Sequence, residues 1–384
     1  LKRRAGAPKV LKTAATRTED AVKIARTLSA ALALALLPLA ATAQEKVVNV
    51  YNWSDYVGEG VLEDFTKETG IEVVYDVYDS NEMLETKLLA GGSGYDVIVP
   101  TDRNLARMIQ SGVVQKLDKS KIPNLEHQWD AIAKRLETYD PGLEHSTNYM
   151  WGTTGIGYNV DKIKERMPDA PVDSWAMLFD PEIVSKFADC GVHVLDSPDD
   201  MLPAALNYLG LNPDSKEVAD LEKAGELMKS IRPHIQKFHS SEYINALANG
   251  DICMAVGYSG DVLQARDRAA EAANNVTVEY SIPKEGAVIW LDSFAIPADA
   301  PHADNAHAFI NFMLRPDIAA RNSNYVFYAN GNKASQAELD DAVSSDPAIY
   351  PDEATLAKLY TTTPSDPRVQ REVTRIWSDV KTGQ

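Results

Sequence analysis

Basic residues are outnumbered in this 384-residue chain: 38 Lys and Arg stand against 56 Asp and Glu, a formal net charge of −18. Nucleic-acid binders held by phosphate contacts need a cationic face, so that class is disfavoured. Histidine is scarce, with seven scattered residues, and His302 and His307 miss the i, i+4 spacing of a helical ligand pair. No metal and no cofactor are therefore expected. Enzyme signatures are missing as well. There is no P-loop, no G-x-G-x-x-G opens a helix after a strand, and Gly257-Tyr-Ser259-Gly260 lacks the spacing of a nucleophile elbow. Paired carboxylates acting as a hydrolase are the remaining enzyme alternative, because sequence does not measure their separation.

Long apolar runs are limited to one, Leu28 to Ala40, behind a segment rich in Lys and Arg and ahead of Ala41-Thr42-Ala43. A basic stretch, a short apolar stretch and an A-x-A site predict a secretory signal peptide over 1–43, cleaved near Ala43/Gln44. The run is shorter than the roughly 20 residues of a spanning helix and contains Pro38, which argues against an anchor. Cleavage removes eight basic and two acidic residues and leaves a charge of −24. That acidity favours a cationic ligand over an anionic one. Only two cysteines occur, Cys190 and Cys253, and in an exported chain an even pair suggests a disulfide.

What is present is an alternation of strand and helix. Apolar segments at Val47–Tyr51, Ile71–Tyr78 and Tyr95–Val99 read as strands. Helical faces built on Val61, Leu62 and Phe65, and on Met83, Leu84, Leu88 and Leu89, lie between them. The order predicts a parallel sheet covered by helices, an α/β fold. The pattern returns with strands at 192–195, 252–256, 276–282 and 288–296. Helices are expected around 203–209, 216–230, 241–249 and 303–314, with a mostly helical tail over 335–384.

Ligands of open α/β sheets bind beyond the carboxyl ends of the strands. Those exits carry Trp53-Ser54-Asp55-Tyr56, Asp79-Ser80-Asn81-Glu82, Thr101-Asp102-Arg103, Asp196 through Asp200, Tyr258 through Asp261, and Trp290-Leu291-Asp292. Ser80 and Asp199 also suit helix N-caps, and Glu82 reads as helix surface. No Lys appears at these exits and Arg103 is the only Arg. An aromatic beside a carboxylate recurs three times. Aromatic faces attract ammonium groups and cover methylenes, while carboxylates accept charge-assisted hydrogen bonds. The combination suits a short aliphatic amine charged at both ends.

Longer stretches resemble a known family. Tyr51-Asn-Trp-Ser-Asp-Tyr56, Val74-Tyr-Asp-Val-Tyr-Asp-Ser-Asn81, Tyr149-Met-Trp-Gly-Thr-Thr-Gly-Ile-Gly-Tyr-Asn159, Leu247-Ala-Asn-Gly-Asp-Ile-Cys253 and Val326-Phe-Tyr-Ala-Asn330 are similar to periplasmic polyamine-binding proteins of ABC importers, most of all the putrescine-binding branch. The resemblance implies a two-lobed type II periplasmic binding-protein fold, each lobe a mostly parallel sheet flanked by helices, with the ligand in the cleft. It places 44–151 plus about 283–325 in the N-terminal lobe and 152–282 plus about 326–384 in the C-terminal lobe. It implies a Cys190–Cys253 disulfide, a monomer, and an inner-membrane permease as partner.

Carried over residue by residue, the amine-contacting positions fall on Trp53, Ser54, Asp55, Tyr56, Thr101, Asp200, Ser240, Tyr258, Asp261, Trp290, Asp292 and Tyr328. Four depart from the family pattern: Thr101 stands for Ser, Asp200 for Glu, Tyr258 for Trp and Trp290 for Phe. Asp261 and Asp292 are expected to neutralise one ammonium, with Asp55 and a water-linked Asp200 near the other. Trp53, Tyr258, Trp290 and Tyr328 are expected to wall the methylene chain. Arg103 is expected near the rim, repelling the ligand unless Asp102 or another acid pairs it. Small residues, Ser197 and Thr362, leave room for a longer ligand. Alternatives are a spermidine-preferring receptor, a periplasmic polyamine sensor and, remotely, the hydrolase.

Overall fold

The computed structural model describes residues 45–383, so the signal peptide and cleavage site expected over 1–43 lie outside the described residues. Among those described, no helix is long and apolar enough to cross a membrane. The first strands follow the predicted order. β1 (Val47–Trp53) lies between β2 (Glu72–Tyr78) and β3 (Val97–Ile98), parallel to both. α1 (Val61–Thr69) and α2 (Asn81–Leu89) are the crossovers. Gly70 ends α1 at φ 71°, a left-handed position that a Cβ would strain. Side chains alternate along β1: Val48 and Val50 pack with Phe65, Phe294 and Phe309, whereas Tyr51 packs with Tyr78, Leu84 and Leu105. Both faces are thus covered, as parallel strands joined by helical crossovers require.

The middle of the sheet departs from the parallel expectation. β4 (Ser146–Asn159), fourteen residues long, runs antiparallel to β9 (Ile289–Ala295) through its first half. Its second half is antiparallel to β7 (Met254–Tyr258) and β8 (Val278–Ser281). β5 (Val192–Val194) and β6 (Lys237–Phe238) continue outward in parallel, and β10 (Ala329–Asn330) pairs with Met150 and Trp151. The resulting order is β2-β1-β3-β9-β4-β7-β5-β6. Local βαβ crossovers force the outer strands parallel; β4 and β9 arrive from distant parts of the chain and escape that constraint.

β4 is buried at every residue but Tyr158. Its glycines sit where neighbours press closest: a Cβ on Gly152 would meet the Trp290 ring at 2.6 Å, and one on Gly155 the Tyr280 hydroxyl at 2.5 Å. Around the later strands lie α3 (Asp102–Gln110), α4 (Pro198–Tyr208), α5 (Val218–Ile231), α6 (Ser259–Ala272), α7 (Ala303–Met313), α8 (Pro316–Val326) and α9 (Pro367–Thr382). Phe179, Phe187, Leu202, Met228, Tyr243, Val256 and Trp377 belong to the core there. The tail is less helical than expected: short turns at 334–337, 341–344 and 353–356 precede α9, and a Val288–Tyr360 bridge ties the intervening segment to the sheet. Cys190 and Cys253 form a disulfide with Cα atoms 5.4 Å apart, just ahead of the adjacent strands β5 and β7. In the chain-entropy view, closing a loop of 63 residues stabilises the fold by about 4 kcal/mol.

Candidate ligand-binding site

The strand exits converge on one cavity of about 830 Å³, counted out to its open mouth. β1 delivers Trp53, Ser54 and Tyr56; β9 delivers Trp290 and Asp292 from its buried length. Thr101 opens α3, Asp200 lies in the first turn of α4, and Asp261 in the first turn of α6. Tyr328 follows Phe327, whose left-handed φ of 59° ends α8. With Ser240 and Tyr258, eleven of the twelve residues expected from sequence line this cavity.

Asp55 does not line it. At φ 52° its carboxylate turns outward, half-exposed, and pairs with Arg268 at 3.1 Å. Glu82, read from sequence as helix surface, lines the cavity, and desolvation there, reinforced by Asp199 and Asp200, raises its pKa. Its side chain meets solvent at the mouth and is nonetheless crowded by protein. Tyr78, Asp79 and Asn81 also line the cavity; Asp79 and Asn81 were read as part of a strand exit but none of the three was placed among the amine contacts. Ser80 caps α2 as expected, accepting from the Met83 amide at 3.3 Å. Asp199 does not cap; it sits inside the first turn of α4, after Ser197.

Two carboxylates anchor the chemistry, Asp292 buried and Asp261 part-buried. Asp292 accepts the Thr101 hydroxyl at 2.6 Å and the Tyr56 hydroxyl at 2.8 Å. Burial pushes its pKa up to about 7, with Asp102 and Asp200 adding to the push and the two hydroxyls opposing it. Asp261 accepts the hydroxyls of Tyr328 at 2.6 Å and Tyr243 at 2.8 Å, and burial raises it to about 6. Neither acid has a cation in hydrogen-bond contact among the described residues. Asp200 is buried and accepts from Thr154 at 2.8 Å and Ser197 at 2.6 Å, with the Tyr258 hydroxyl at 3.4 Å.

Aromatic rings join these acids. Trp290 stands edge-on to Tyr258 and to Tyr328, ring centres 5.7 and 5.2 Å away, and Tyr328 stands edge-on to Tyr56 at 5.3 Å. Trp53 is fixed by its indole N–H, which donates to the Val99 carbonyl at 2.9 Å. Seven carboxylates line the cavity (Asp79, Glu82, Asp196, Asp199, Asp200, Asp261 and Asp292), and Arg103 is the single cation among the described lining residues. Arg103 is not the free, repelling charge that an unpaired rim residue would be. It is buried, donates to the Asp199 carbonyl at 3.0 Å and to the Thr362 hydroxyl, and lies 3.8 Å from the Asp199 carboxylate. Burial works against its charge, but Asp199, Asp102 and Asp200 outweigh it and hold its pKa above the ordinary value. Thr362 is buried beneath that contact, so the room expected there is taken, whereas Ser197 does line the cavity.

A matched family model, "Bacterial extracellular solute-binding protein", covers residues 60–351. The chain belongs to that family. Among individual relatives, this solute-binding protein is 52% identical to the putrescine-binding periplasmic protein SpuD of Pseudomonas aeruginosa, over 93% of this chain and 98% of SpuD. It is 48% identical to the putrescine-binding periplasmic protein PotF of Escherichia coli, over 89% and 93% of the two chains. A solved structure of a putative spermidine/putrescine ABC transporter protein from Listeria monocytogenes superposes with a TM-score of 0.78 at 32% identity, covering 88% of this chain and all of the other. The fold is that of the type II periplasmic binding proteins, a mixed α/β fold with a central sheet.

Proposed function

We propose that this solute-binding protein is a receptor, not an enzyme, that captures a polyamine, putrescine in preference to spermidine, and hands it to an ABC permease in the inner membrane. The carrying observation is the pair Asp261 and Asp292: one part-buried and one buried acid whose side chains, among the described residues, accept only from hydroxyls, with the Tyr328 and Tyr56 rings between those hydroxyls in edge contact. Such acids are unfavourable when charged and alone, and a primary ammonium supplies the missing partner. The ring faces cover the methylenes and gain cation–π attraction of about 0.5–2 kcal/mol. SpuD and PotF, both putrescine-binding periplasmic proteins, support the same reading.

In this reading the chain works in the periplasm as a monomer after cleavage near Ala43/Gln44. The lobes comprise 44–151 plus about 283–325, and 152–282 plus about 326–384, with β4 passing between them. Acids from both lobes engage one diamine only when the cleft is closed, so ligand draws the population toward closure. Eleven of the twelve expected residues serve as ligand contacts, and Asp55, turned outward to Arg268, does not. Titration calorimetry against putrescine, cadaverine, spermidine and spermine is the test. Putrescine should bind most tightly, with spermidine weaker and still measurable. Spermidine tighter by tenfold would move the receptor to the spermidine-preferring reading, which Trp290 favours because tryptophan at that place resembles the spermidine-binding branch.

A further inference from the structure

A second cavity, about 440 Å³, borders the first, and among the described residues only Arg103 and Asp199 face both. Thr362, which lines only the second, accepts from Arg103. Arg103 and Asp199 stand where the two spaces meet, and one guanidinium nitrogen reaches the Asp199 carbonyl and the Thr362 hydroxyl together, across 259 positions of sequence in the latter case. Its Nε is buried and has no hydrogen-bond partner among the described residues. Nearby, the Tyr360 hydroxyl is likewise buried without one, close enough to Asp200 and Arg103 to feel both charges. The partition is thus held by few bonds and leaves polar groups unsatisfied, unlike a packed wall.

We infer that Arg103 sets the length of ligand this receptor accepts, by closing the ligand cavity against the second one with both bulk and charge. This deepens the polyamine reading and rests on it. On this proposal a diamine of four carbons ends before the partition. The aminopropyl arm of spermidine would have to enter where the guanidinium sits, and its third ammonium would meet a charge that the Asp199 carboxylate, 3.8 Å away, offsets only in part. Beyond the partition the cations Arg107 and Lys216 line the second cavity, each already paired, with Glu85 and Asp214 respectively. The one acid facing that space is Asp199, and Arg103 occupies it. Removing the guanidinium therefore does two things: it joins the cavities, and it frees the Asp199 carboxylate for a third ammonium.

The test compares putrescine and spermidine dissociation constants, by calorimetry, for the wild-type protein, Arg103→Ala and Arg103→Met, with thermal melts as the folding control. Arg103→Ala should shift the spermidine-to-putrescine affinity ratio toward spermidine by tenfold or more, with putrescine affinity kept within a few-fold. Arg103→Met, which keeps bulk and loses charge, should shift it the same way by less, and it carries the test if Arg103→Ala does not fold. A ratio unchanged within twofold in folded variants, or equal weakening of both ligands, would overturn the inference while leaving polyamine capture intact. Wild-type protein that binds neither ligand would overturn both.

Discussion

Acidification should release the ligand, by an amount that follows from two side chains. In the ligand-free site Asp292 holds its proton up to about pH 7 and Asp261 up to about 6, burial being the main cause in both. An ammonium beside each restores the ionised form, so the bound-state pKa lies lower and binding expels protons. The sign follows: affinity is full above about pH 7 and is lost as pH falls through about 7 and then 6. At 1.36 kcal/mol per unit, moving from pH 8 to 5.5 costs about 2 kcal/mol at Asp292 and just under 1 at Asp261. The sum, about 3 kcal/mol, is roughly a hundredfold in dissociation constant. The amine stays protonated throughout, because its own pKa is lysine-like. Calorimetry with putrescine in buffers of low and high ionisation enthalpy reads both the affinity and the released protons. An affinity constant within threefold across this range, with heats independent of buffer, would mean that both acids are already ionised in the empty cavity and that the burial argument is wrong. Stability of the ligand-free protein should run the other way. These folded-state pKa values exceed the unfolded one, so stability is fullest at low pH and falls as pH rises toward 7.

Asp292→Asn should weaken putrescine binding by about 2–5 kcal/mol, since it strips a buried ammonium of its charge partner. Asp55→Asn, at the half-exposed Arg268 pair, should cost less than about 1 kcal/mol. Equal losses by calorimetry would mean that bulk acidity does the binding. Trp290→Phe should widen the preference for putrescine over spermidine, and a narrowed ratio in competition binding would show that the indole does not favour the longer ligand. Replacing Cys190 and Cys253 together by Ser should lower unfolding stability by about 2–4 kcal/mol in denaturant titration, with no loss of ligand affinity once folded. An unchanged midpoint would show that the bridge contributes nothing to the unfolded-state constraint.

The local parts of the fold were legible and the distant pairings were not. Val47–Tyr51 and Ile71–Tyr78 announce strands because apolar, β-branched runs are bounded by capped helices, and β1 and β2 fall there. β4 leaves no such trace. It is covered on both sides, so it lacks alternation, and its glycines at 152, 155 and 157, demanded by rings and side chains packed against them, lower its strand propensity. The cavity was legible because strand exits share an end of the sheet, which placed Asp292 beside Thr101 across 191 positions. Asp55 and Glu82 were misread for one reason. Residues at an exit can turn inward or outward, and the choice rests on backbone conformation and on a neighbour such as Arg268 that only the folded chain supplies.

The place of β9 in the sheet bears on how the chain acquires its structure as it emerges. β9 lies between β3 and β4, so the half-sheet β2-β1-β3 has no strand partner on its inner edge until residue 295 is available. A chain presented amino terminus first therefore carries an open strand edge and an incomplete hydrophobic core for most of its length. Non-local pairing of this kind delays folding, because loop-closure entropy is lost before the contacts that offset it form. Under the export proposed above such a delay would be useful: the segment that closes the sheet arrives late, and premature collapse has no complete structure to settle into. The same arrangement exposes the edge of β3 to other chains during that interval, which makes the emerging chain a natural client for holding factors that cover strand edges.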